Sequence, residues 1–210
     1  MLYDISPPLS PRIAVWPGDT PLTREVLAEV GAGSGVTLSA LRATAHLGAH
    51  ADAPSHYGAG APAIDARDLD YYLGPCQVIR VAVGRGACMT PDAVRGPITA
   101  PRVLFDTGTH PDPEAFPEDF AALSPELVTW LHRQGVRLVG IDTPSVDPFP
   151  SKNLPAHKTF LRHDMAILEG LVLKDVPEGL YELIALPLRL VGFDASPVRA
   201  VLRPLPGGAT

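Results

Sequence analysis

Short apolar runs cut by proline and glycine, rather than long periodic stretches, make up this chain. Leu2–Ile5 reads as a brief strand, and Pro7, Pro8 and Pro11 force irregular backbone after it. Leu22–Val30 reads as a strand. Val36–Ala45 alternates Val, Leu and Ala-Leu with Ser, Thr and Arg, which predicts a strand running into the histidine-rich segment that follows. Tyr57–Leu73 reads as loop, and Gln77–Val83 as an apolar, β-branched strand. Thr90-Pro-Asp predicts a capped short helix to about Val94. Val103–Asp106 and Val136–Ile141 are buried-strand patterns around a helix. That helix is capped by Ser124, opened by Pro125, carries Leu127, Val128 and Leu131 on one face, and is stopped by Gly135. This is a strand–helix–strand unit. Pro155–Leu171 reads as helical for much of its length, with a break near His163-Asp164. Leu180–Leu186, Leu190–Val191 and Val198–Leu202 supply further strands. The sum predicts an α/β fold over residues 1–210: a single compact domain with a mixed, barrel-like β-sheet core flanked by helices.

Composition narrows the partners. A net charge of −6 and no basic cluster argue against nucleic acid and anionic membranes. No apolar run approaches the roughly 18 residues of a membrane span. Met1-Leu-Tyr-Asp-Ile-Ser has no basic region followed by a long apolar one, so no leader is expected. Cys76 and Cys88, without CxxC spacing, point to a reduced, cytoplasmic protein. The 24 prolines and 19 glycines are dispersed, so they mark turns between brief elements and not a low-complexity linker.

The chemistry concentrates in residues 46–56, His-Leu-Gly-Ala-His-Ala-Asp-Ala-Pro-Ser-His. His46, His50, Asp52 and His56 all fall at even positions, one face of an extended backbone. Gly48 and Pro54 oppose a helix. A straight strand would hold His46 and His50 about 13 Å apart at Cα. Zn–N bonds are only about 2.0–2.1 Å, so a shared ion requires a bend, and Gly48 is the place for it. His50 and Asp52, roughly 6.6 Å apart when extended, need none. Three histidines and a carboxylate beside a single large hydrophobe do not make a packing pattern, and a metal site accounts for them. His157 and Glu169 are the candidates to close it, because Glu169 stands among hydrophobes and demands a partner. The competing partner for Glu169 is an arginine, Arg162 or Arg189. His110, His132 and His163 read as surface or structural residues. Trp16, before Pro17-Gly18-Asp19, is either core or a flat face for an aromatic ligand.

His46-x-Gly-x-His50-x-Asp52-x-Pro-x-His56 resembles the signature of the cyclase-like metal-dependent hydrolase family. Trp16-Pro-Gly-Asp, Gly140-Ile-Asp-Thr-Pro-Ser-Val-Asp-Pro148 and the His157…Glu169 pair are similar to its kynurenine formamidase branch. The resemblance implies the family's swivelling β/β/α domain and a homodimer. It implies two zinc ions per subunit, the first held by His46, His50 and Asp52. Asp52 would bridge to a second ion, which His157 binds, and Glu169 would touch both. Nitrogen and oxygen ligands would also suit manganese. His56 would be the acid/base residue and Trp16 would contact the substrate ring. The implied reaction is hydrolysis of an aryl formamide, N-formyl-L-kynurenine, to L-kynurenine and formate by water that the metal pair activates. The alternatives are a sister enzyme that opens the isatin ring and, from another class, a metal-binding protein without catalysis.

Overall fold

The computed structural model describes residues 2–205. Thirteen strands and two α-helices follow in order. They are β1 (Tyr3–Asp4), β2 (Thr23–Ala28), β3 (Leu38–Arg42), β4 (His50–Asp52), β5 (Leu73–Arg80), β6 (Cys88–Met89), β7 (Arg102–Asp106), β8 (Ala122–Leu123), α1 (Pro125–Arg133), β9 (Leu138–Ile141), α2 (Pro155–Arg162), β10 (Ala166–Glu169), β11 (Gly179–Ile184), β12 (Ala195–Pro197) and β13 (Val201–Pro204). Nine of the strands form one curled sheet in the order β1-β13-β11-β5-β7-β9-β10-β4-β12. Its centre, β5-β7-β9-β10, is parallel and both flanks are antiparallel. The mixed α/β class expected from the sequence is therefore present, with the helical layer reduced to two short helices.

The parallel centre is built as such sheets must be, with both faces covered. Val103, Phe105, Val139, Ile141 and Ile167 point to the side that carries Leu127, Val128 and Leu131 of α1 and Phe160 of α2. Leu104, Leu138 and Leu168 point to the opposite core with Tyr72, Leu183 and Leu202. The predicted strand–helix–strand unit is β7–α1–β9, with β7 and β9 as parallel neighbours. Ser124 Oγ accepts the Leu127 N–H at 3.1 Å, the expected cap.

Two expected elements fail and a third forms without its expected cap. The helix over Pro155–Leu171 ends at Arg162, and Ala166–Glu169 is instead a fully buried strand between β9 and β4. Asp164 turns the chain with φ +48, and a four-residue apolar run is too short for its period to separate helix from strand. The short helix expected after Thr90 is present as one 3₁₀ turn, Pro91–Ala93, with Thr90 at its N-cap position and Val94 at its C-cap; only the side-chain cap is missing, because the Thr90 hydroxyl bonds the Asp92 carboxylate instead. Leu190–Val191 is not a strand; the Leu190 carbonyl accepts the Phe193 N–H at 3.2 Å and closes a turn around Gly192, φ +78.

The expected bend is at Gly48, where φ is +57. A Cβ there would meet Leu9 Cδ2 at 2.7 Å. Gly170 approaches more closely still: a Cβ on it would lie 2.3 Å from the Gly48 carbonyl oxygen. Two glycines thus let the end of β10 pass against the kink that leads into β4.

Candidate metal centre

β4 sorts its residues by face. Ala49, Ala51 and Ala53 enter the hydrophobic core, while His50 and Asp52 face the other way, toward α2. Glu169 pairs in register with His50, and Ile167 with Asp52. His157, on the first turn of α2, closes the group from above. The sequence-predicted residues His46, His50, Asp52, His56, His157 and Glu169 therefore converge, although more than a hundred residues separate the ends of the set.

The distances describe a cage. Asp52 Oδ1 lies 3.1 Å from His46 Nδ1 and 3.5 Å from His50 Nε2. Asp52 Oδ2 lies 3.2 Å from His157 Nε2. Glu169 spans the floor, with Oε2 3.3 Å from His50 Nε2 and Oε1 3.5 Å from His157 Nε2. Two overlapping donor sets result, His50–Asp52–Glu169 and His46–Asp52–His56, and Asp52 belongs to both. Among the described residues no arginine pairs with Glu169; besides the histidines its one donor there is the Val146 N–H at 2.7 Å. Arg162 and Arg189 are not its partners.

Backbone and carboxylate neighbours aim the rings. His50 Nδ1 donates to the Gly48 carbonyl at 2.9 Å, which leaves the Nε2 lone pair facing two carboxylates. Among the described residues neither His50 Nε2 nor Asp52 Oδ1 has a hydrogen-bond partner, and both are buried. Lone pairs that confront one another in the interior repel unless a cation lies between them. Asp147, which sequence reading left without a role, holds His157. Its Oδ2 accepts from His157 Nδ1 at 2.7 Å and from the His157 amide at 3.0 Å, and its Oδ1 accepts the Ala156 amide at 2.9 Å. The same carboxylate thereby caps α2, whose own N-cap, Leu154, has no side chain able to do so. Asp194, also unforeseen, stands half exposed at the rim. It lies 3.0 Å from His46 Nε2 and 3.4 Å from His56 Nδ1. Nothing in Gly192-Phe193-Asp194 signals that role, whereas Asp147 closes a Thr-Pro-Ser-Val-Asp block already notable in the sequence.

Electrostatics carry the same message. Burial pulls His46 and His157 down, but the Asp52 carboxylate, with Asp194 for one and Asp147 for the other, outweighs it and lifts them to about 9 and about 10. Burial pushes Asp52 up; the histidines around it hold it well below the ordinary carboxylate range all the same. The pocket concentrates negative charge and draws in positive charge, as protons or as metal. Imidazole and carboxylate donors, with no thiolate, fit a borderline divalent ion.

Above the cage opens a cavity of about 410 Å³. Trp16 forms part of its wall, edge-on to Phe116 at 5.3 Å and tilted against Phe149 at 5.0 Å. His110, expected to be surface or structural, lines the cavity too; its Nε2 is buried with no hydrogen-bond partner among the described residues, and burial lowers its pKa. His132 and His163 stack on each other at 4.3 Å and do not line this cavity.

A family model described as "Putative cyclase" matches residues 3–148. The chain belongs to the cyclase family. His157 and Glu169 lie beyond the matched residues, and it is the fold that brings them to the signature segment. Among solved structures, a "predicted metal-dependent hydrolase" from Bacillus stearothermophilus is 30% identical, covers 96% of this chain and 97% of its own, and superposes with a TM-score of 0.79. A "potential metal-dependent hydrolase with cyclase activity" is 29% identical over 96% of each chain, TM-score 0.83. Isatin hydrolase A from Labrenzia aggregata shares the fold at 22% identity, covering 96% of this cyclase-family chain and 93% of its own, TM-score 0.81. Among the described residues, no helix of this chain is long and apolar enough to cross a membrane.

Proposed function

We propose that this cyclase-family chain is a metal-dependent amidohydrolase that cleaves N-formyl-L-kynurenine to L-kynurenine and formate. The observation that carries the reading is the carboxylate pair Asp52 and Glu169, buried beneath an aromatic-walled cavity, where among the described residues histidines and one backbone amide face them. His46, His50 and Asp52 would hold one ion, and Asp52, His157 and Glu169 a second, zinc or manganese. Bound there, divalent cations lower the pKa of water toward neutrality and polarise a carbonyl oxygen.

The chain's own groups do the rest. His56 lines the cavity with its side chain one-third exposed, and Asp194 faces its Nδ1, so its Nε2 is left for the substrate. When the formyl C–N bond breaks, the aniline nitrogen must gain a proton, and His56 supplies it. Trp16 and Phe116 offer flat apolar surface to the aryl ring and exclude bulk water from that side. Asp147 and Asp194 keep the ligand and acid/base imidazoles oriented.

The test is a side-by-side assay of metal-loaded and chelator-stripped protein on N-formyl-L-kynurenine and isatin. Turnover of the formamide that chelation abolishes and metal restores supports the reading. Isatin opening alone moves the chain to the sister activity, and activity on neither points to metal binding without catalysis. We further propose a cytoplasmic homodimer. The β2–β3 hairpin presents Val26, Leu27, Leu38 and Leu41 to solvent as apolar surface for a second copy, and the mass in solution checks this.

A further inference from the structure

The polar character of the cavity divides between floor and mouth. At the floor every carboxylate is committed to histidine, and the positive charge gathered there must sit against the amide that is cleaved. A side group on the substrate's ring therefore has only the mouth to meet. Among the described residues that line the cavity there is no lysine and no arginine; the one further charged residue is Asp19. Arg12, in the same loop, is spent on Glu114 at 2.9 Å.

Asp19 is fixed rather than floppy. Its N–H donates to the Trp16 carbonyl at 2.9 Å across a turn that Pro17 opens and Gly18 completes at φ +91. Asp19 Oδ1 accepts the Thr20 N–H at 2.8 Å, and Oδ2 has no hydrogen-bond partner among the described residues. The turn that carries the aromatic wall thus carries a carboxylate with one oxygen to offer. Trp16 and Phe116 line the same cavity, and aromatic rings also attract cations. A carboxylate entering here would meet like charge and no counter-ion, whereas an ammonium would meet both attractions.

We infer that Asp19, with the aromatic wall of its own turn, selects aryl amides by a cationic side group, so that a substrate bearing both ammonium and carboxylate is gripped by its ammonium with the carboxylate turned outward. This rests on the amidohydrolase reading and adds the charge class of the substrate. Asp19 is a specificity-determining residue, and its effect falls on KM.

The experiment uses metal-loaded full chain and formanilides whose ring carries a neutral, an ammonium-bearing or a carboxylate-bearing side chain. Wild type should favour the ammonium over the carboxylate form in kcat/KM by about tenfold, mostly through KM. Asp19→Asn should shrink that ratio about threefold to tenfold, and Asp19→Lys should reverse it. Calorimetric binding of the corresponding anilines should rank the same way without any turnover. Preference for the carboxylate in wild type, or a ratio that Asp19→Asn leaves unchanged, overturns the inference. If no formanilide is hydrolysed the amidohydrolase reading fails, and the ranking of the anilines still decides whether Asp19 selects charge.

Discussion

The inner and outer halves of the histidine–carboxylate cluster are built from the same residue types and differ in burial. His50, Asp52, His157 and Glu169 are each no more than 3% exposed and lie on β4, β10 and α2, elements locked into the sheet and its helical cover. His46, His56 and Asp194 sit at the rim, with side chains 20%, 33% and 50% open. Removal of a buried partner strands a charge in low dielectric, whereas removal of a rim partner leaves one that water can reach. The inner half should therefore anchor the metal, and the outer half, which adds one ligand in His46, should govern what is done with it.

The largest effect belongs to Asp52, the inner residue that also lies against His46 of the rim. Asp52→Ala should empty the centre of metal, measured by elemental analysis after dialysis, and cut turnover about 10³-fold or more. Two ions retained per chain would refute the bridging role. His56→Asn should lower kcat about 10²–10⁴-fold with metal content near wild type; metal lost in parallel would make His56 a ligand. Asp194→Asn should weaken metal affinity or activity by about 10–100-fold, since Asp194 acts only by orienting His46 and His56. An effect as large as that of Asp52→Ala would erase the distinction between the halves.

Acidity joins the halves through one histidine from each. In metal-free protein the folded pKa of His46, about 9, and of His157, about 10, lie above the unfolded value near 6.5. Their contribution to stability is full below about pH 6.5 and fades as pH climbs through 9 to 10. Metal must displace these protons, so stabilisation by added zinc should grow as pH rises from 6 to 8; thermal unfolding with and without metal reads both trends. The smallest change tests the frame. Gly170→Ala, forced onto the Gly48 carbonyl, should cost about 1–3 kcal/mol of stability in chemical denaturation, because backbone has to yield.

What could be read from the chain follows from how local each signal is. The even-position face of residues 46–56 is a local code: one backbone geometry puts His50 and Asp52 on one side, and alanines at 49, 51 and 53 fill the core behind. The bend was legible because Gly48 was the residue able to take φ +57. Glu169 showed itself as a charge among hydrophobes, but its element was misjudged: Ala166–Glu169 is a strand only because β9 and β4 lie on either side of it. Asp194 and His110 gave no sign, for their significance depends on the distant elements they face. The match to the family model stops at residue 148, short of His157 and Glu169, and the fold is what shows them joined to the cage.

Anomalous scattering from a crystal of zinc-loaded protein, collected at the zinc edge, tests the two-ion centre most directly. The account predicts two peaks flanking Asp52, one toward His46 and His50 and the other toward His157, with Glu169 near both. A single peak that leaves His157 unliganded, or no peak within the cage, would contradict it.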